Sequence, residues 1–155
     1  MSALLDFRVF GAAFEQTVDE LRRESSAYAR IGLAAQLARQ AYQRLSPEFE
    51  LLRAGASLGK DLRALAITLQ ARRRSNLVKL ATSVRRGVGT QSAPEPARLA
   101  DALVALTSYD VYRILVLDLG WSATRYERWL AKEMRLTLLG PDRKRDSTSI
   151  PTRSP

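Results

Sequence analysis

Cysteine and histidine are both missing from this sequence. Their absence removes disulfides, thiolate nucleophiles, imidazole bases and the usual zinc ligands together. No DxD or ExxH-like cluster of carboxylates takes their place, so the residues call for no metal and no cofactor. Lysine is scarce too: Lys60, Lys79, Lys132 and Lys144 stand alone, none in a suggestive motif. Asp101 and Asp110 are the nearest approach to a carboxylate pair, but nine helical residues set them about 180° apart. An enzyme is not expected from these residues. Long apolar runs are also lacking, for none approaches the roughly 20 residues that span a bilayer. The opening residues, MSALLDFRVFGAAFE, carry no basic segment ahead of their apolar part and are interrupted by Asp6 and Arg8. The expectation is a chain with no membrane span and no signal peptide, in the cytoplasm.

What is present is apolar residues at helical spacing, and arginine. Hydrophobic residues make up 46% of the 155, enough for one domain with its own core. Net charge is +9, a balance that suits either a solvated basic surface or an anionic partner.

A first helix is predicted over residues 3–24. Leu4, Phe7, Phe10, Phe14, Val18 and Leu21 form its stripe, and Gly11 falls inside it, where a close helix crossing would use it. Such a stripe is either core or the wall of a ligand cavity. A second helix is predicted over residues 26–45. Tyr28, Ile31, Ala35, Ala38, Tyr42 and Leu45 line one face, and Leu33, Leu37 and Ala41 lie beside it. That broad, Ala-rich face belongs inside a bundle. Ser46-Pro47-Glu48 then reads as a new start, with a capping serine, a proline at the first helical position and an acid at the positive end. A short helix over residues 47–54 follows, with a flexible joint at Gly55, Ser57 and Gly59.

The next helix is predicted over residues 60–86, with Leu62, Leu65, Leu69, Leu77, Leu80 and Val84 on its stripe. The same face passes through Arg73. Arg72, Arg73 and Arg74 fan through about 200°, so at least one must approach the apolar side. There it would salt-bridge to a neighbouring helix, snorkel outward, or anchor an anionic ligand group. A loop over residues 87–94 leads to a fifth helix, a long one ending near Leu119. Leu99, Leu103 and Leu106 form one face, and Ala100, Val104, Thr107, Val111 and Leu115 another. Ile114 to Leu117 is apolar all round, so one side needs a partner. Gly120 suits the left-handed position past a helix end, and Ser122 suits the cap of the last helix, residues 123–139. Tyr126, Trp129, Leu130, Met134 and Leu138 line that helix. Beyond Gly140, residues 141–155 read as a disordered tail with a basic cluster at Arg143-Lys144-Arg145. The expected fold is all-α: an antiparallel bundle of about five long helices plus one short one over residues 1–140.

The closing stretch also carries a family pattern. Ala105-Leu106-Thr107-Ser108, Val111-Tyr112-Arg113, Leu115-Val116, Gly120-Trp121-Ser122, Tyr126-Glu127 and Trp129-Leu130-Ala131 resemble the last two helices of the tetracycline-repressor (TetR) family of transcriptional regulators. The match covers about a quarter of the chain well. The resemblance implies a C-terminal ligand-binding and dimerisation domain, with a small apolar effector between the helices and a homodimer built on the last two helices of each copy. By placement, Phe10, Phe14, Tyr28, Leu65, Leu69, Thr107 and Tyr112 are the candidates for the effector site. Leu103, Val111, Leu115, Trp121, Tyr126, Trp129 and Met134 are the candidates for the dimer interface. The family's helix-turn-helix has no counterpart ahead of the first long helix, so this chain alone is not expected to bind DNA sequence-specifically. Two other readings remain: a basic helical module binding nucleic acid nonspecifically, or an interaction domain that pairs with a full-length regulator.

Overall fold

The structure, a computed structural model, describes residues 10–55, 59–88 and 95–141. Every regular element among them is helical: α1 (Ala12–Arg23), α2 (Ala27–Gly55), α3 (Lys60–Val88), α4 (Pro96–Leu106), α5 (Tyr109–Tyr112) and α6 (Ala123–Leu139), with a π-helical turn (Arg113–Asp118) continuing α5. The all-α expectation is met. None of these helices is long and apolar enough to cross a membrane.

The Ala-rich face places α2 at the centre, where it packs on α1, α3 and α6. Ile31 and Ala35 are fully buried along it, because small residues let the neighbours approach. Polar links add to the α1–α2 contact: Thr17 gives its hydroxyl proton to the Ala13 carbonyl and accepts from the Gln40 side-chain amide at 3.2 Å. Charges follow the helix dipoles, with Glu15 in the first turn of α1 and Arg22 and Arg23 in its last.

Three boundaries differ from expectation. First, Gly11 is not inside a helix. It stands just ahead of α1 with φ +84°, a conformation open to glycine, and a Cβ there would meet the Arg44 guanidinium at 3.4 Å. Residues 1–9, the rest of the expected first helix, lie outside the described residues. Second, the new start expected at Ser46 is present as a kink at Leu45, where two helical segments of α2 meet, but it lacks the serine cap. Only Leu45 leaves helical geometry (φ −114°, ψ 25°), so α2 bends and runs on through Pro47. Ser46 does not cap; its hydroxyl donates back to the Tyr42 carbonyl.

Third, the long fifth helix is broken. Thr107 closes α4, and Ser108 takes an extended conformation (φ −71°, ψ 152°) whose hydroxyl accepts from the Val111 N–H at 3.3 Å. The chain then widens into the π turn, where the Leu119 N–H reaches the Ile114 carbonyl five residues back at 2.9 Å. The hairpin that follows matches expectation: Gly120 has φ +69°, and the Ser122 hydroxyl accepts from the Arg125 N–H at 3.1 Å. Of the disordered tail expected over residues 141–155, all but Pro141 lies outside the described residues.

A line of aromatic rings crosses the interior. From Phe49 it passes to Tyr109 (5.1 Å between centroids) and Tyr42 (5.4 Å). It continues through Tyr112 (5.5 Å), Tyr126 (5.0 Å, edge-on), Trp129 (6.2 Å) and Trp121 (6.2 Å). These separations and tilts suit ring quadrupoles. The line joins the bend of α2 to the hairpin before α6.

Candidate functional site

The Phe stripe of α1 does not close completely on the bundle. Between it, α2 and α3 lies a cavity of about 500 Å³, with Thr107 and Met134 at its inner end. Phe10 stacks on Phe14 at 4.5 Å to form one wall. The side chains of Ala34, Ala38 and Ala41 on α2 are too short to fill the space opposite, and Leu77 and Leu80 of α3 line the third side.

The polar groups at this site are fixed by the break in the long helix. A helix end leaves carbonyls with no intrahelical partner. The Tyr42 hydroxyl donates to the Thr107 carbonyl, and the Arg73 guanidinium donates to the Val104 carbonyl. A cation beside the negative end of α4 also suits its dipole. Tyr42, Thr107 and Arg73 all line the cavity. Burial pushes the Tyr42 phenol above its ordinary range, an effect that the neighbouring Arg73 guanidinium opposes. The phenol is therefore a neutral donor near neutral pH.

Three of the residues expected at an effector site are on this lining: Phe10, Phe14 and Thr107. Four are not. Tyr28 is 50% exposed, on the outer side of α2 near Arg135. Leu65 and Leu69 are half-buried nearer the start of α3 and off the cavity. Tyr112 is buried in the aromatic line. Sequence reasoning passed over Tyr42 and Phe49, whose places on the lining depend on the bend in α2. Arg73 reaches the apolar side as its stripe position required, but its partner is a backbone carbonyl rather than an acid. Arg74 instead pairs with Asp101 at 2.7 Å and holds that carboxyl below its usual range. Arg73 and Arg74 are thus both engaged within the chain.

The residues expected at a dimer interface also separate. Leu103, Tyr126 and Met134 are each 0% exposed, so they belong to the chain's own core and have no surface left for a second copy. Helical spacing alone does not tell a bundle's inner face from its outer one, so the sequence pattern admits either place for them. Val111, Leu115, Trp121 and Trp129 are half-buried. The exposed large apolar residues on this hairpin are Ile114, Leu117 and Leu119, at 44%, 51% and 63%, with Leu136 on α6 at 43%.

A second, wider groove of about 890 Å³ runs over the outside between the end of α1, the first half of α2 and α6. Glu20, Glu24 and Glu127 alternate there with Arg23, Arg128 and Arg135, so the groove has no dominant sign. No group of three or more acids that could hold a metal occurs among the described residues. No protein-family model, curated protein or solved structure matches the chain.

Proposed function

We propose that this chain is a ligand-binding and self-associating helical domain, similar in role to the sensing domain of TetR-like regulators. The observation that carries the reading is the cavity of about 500 Å³, walled by aromatic and aliphatic side chains with a few oriented polar groups. That size and lining suit one small, mainly apolar molecule. Its inner end meets the joint between α4 and α5 through the Tyr42–Thr107 hydrogen bond. An occupant would therefore touch the element that leads to the hairpin. Ile114, Leu117 and Leu119 supply the apolar surface on which two copies would meet.

Binding of a neutral apolar dye such as Nile red tests the cavity. Wild type should bind it, and Ala38→Trp, which fills the space from α2, should bind it at least about tenfold more weakly. Equal binding by both proteins would place the dye elsewhere and remove this reading. The self-association half is tested by light scattering. Wild type should be a dimer, and Leu117→Glu, at an exposed position, should shift it to monomer without loss of helix.

A further inference from the structure

The cavity has an apolar body and charged lining residues of one sign. Arg22, Arg30, Arg73 and Lys79 line it, and among the described residues no aspartate or glutamate does. Arg22 is answered at the surface by Asp19 at 3.0 Å. The other two arginines meet only neutral groups. Arg30 donates to the Glu24 backbone carbonyl at 2.7 Å, and its Nε is buried with no hydrogen-bond partner. Arg73 donates to the Val104 carbonyl and lies against the Tyr42 oxygen, and its Nε too is buried with no hydrogen-bond partner. Neither arginine makes an ion pair among the described residues.

A half-buried guanidinium without a counter-charge forgoes a favourable pairing, and a carboxylate is the group its fork fits best. Three other arginines are given acids: Arg39 has Glu127, Arg74 has Asp101, and Arg113 has Asp118. A buried Nε with no hydrogen-bond partner also occurs at Arg113 and Arg135, so what distinguishes Arg30 and Arg73 is their place on the cavity lining with no ion pair. Arg73 stands at the inner end, beside Thr107, while the Phe10–Phe14 pair lies across the apolar walls.

From this juxtaposition we infer that the ligand is an amphipathic monocarboxylate, its chain or ring among the α1 and α2 side chains and its carboxylate on Arg73. The inference rests on the cavity reading above and adds the charge of the occupant to it. The carboxylate would share Arg73 with the Val104 carbonyl. Occupancy would then be felt at the C-terminal end of α4.

Titration calorimetry of the full chain near neutral pH, with decanoate and with decanol, tests the charge separately from the cavity. Decanoate should bind about tenfold or more tightly than decanol, as one charge-assisted pair supplies. Arg73→Gln should abolish that preference while decanol affinity is kept. Because Arg73 also serves the Val104 carbonyl, Arg73→Lys gives a variant that keeps a cation and a donor there but loses the fork. It should weaken decanoate several-fold and leave decanol unchanged. If decanol binds wild type as tightly as decanoate does, or if decanoate affinity survives both substitutions, the carboxylate assignment is wrong and the apolar cavity stands. If neither ligand binds and Nile red fails as well, the cavity reading itself is wrong.

Discussion

Tyr126 is fully buried, and its hydroxyl has no hydrogen-bond partner. A buried polar group left unpaired costs about 1–3 kcal/mol, whereas the ring itself packs between Tyr112 and Trp129. Tyr126→Phe keeps the ring and removes the unpaired oxygen. It should leave stability unchanged or raise it by up to about 1 kcal/mol, read as the midpoint of urea unfolding. A clear loss would mean that the hydroxyl has a partner. At this scale the sequence was readable where the chemistry is local. Gly120 and Ser122 announce a turn and a cap within three residues, and both act so. Tyr42 was not readable, because its hydroxyl serves a carbonyl 65 residues away that is open only where the long helix breaks.

That break is the element-scale surprise. Apolar residues keep their helical spacing across Thr107 and Ser108, so periodicity registers no joint. The Thr107 hydroxyl also returns to the Leu103 carbonyl at 2.7 Å, a bond that an uninterrupted helix would equally allow. What makes the joint stable comes from other helices, through Tyr42 and Arg73. Pro47 was legible, for it stands in the first turn after the kink at Leu45, where a second helical segment begins. Phe49 packs on Tyr42 and Tyr109 and ties that segment to the rest of the bundle. The last helix carries a firmer expectation. Its first turn depends on the Ser122 oxygen, so Ser122→Ala should cost about 1 kcal/mol, while Ser122→Asp should retain most of the stability. Equal midpoints for the alanine variant and wild type in urea would show that the bond at the Arg125 N–H contributes nothing.

For the molecule as a whole, the all-helical fold was legible because five amphipathic stripes and their terminators agree. The assignment of inner and outer faces was not, since stripes on α4 and α6 look alike whether a neighbour lies in the same chain or another. The interior gathers four tyrosines whose phenols are pushed up, chiefly by burial: Tyr42, Tyr109, Tyr112 and Tyr126. A group whose folded pKa is raised binds its proton longer in the native state than in the unfolded chain. Stability from these phenols is therefore intact below their ordinary value of 10.0 and is lost as pH rises beyond it. Helix loss followed by circular dichroism should coincide with the rise in phenolate absorbance. Phenolate appearing fully while helix persists would contradict it. The aromatic line has an optical meaning as well. The sequence holds two tryptophans, Trp121 and Trp129, and both stand at its hairpin end. Light absorbed by any tyrosine along the line drains toward those indoles. Intrinsic emission, with no label attached, is thus a report from the hairpin, while the cavity near the far end is seen only through it.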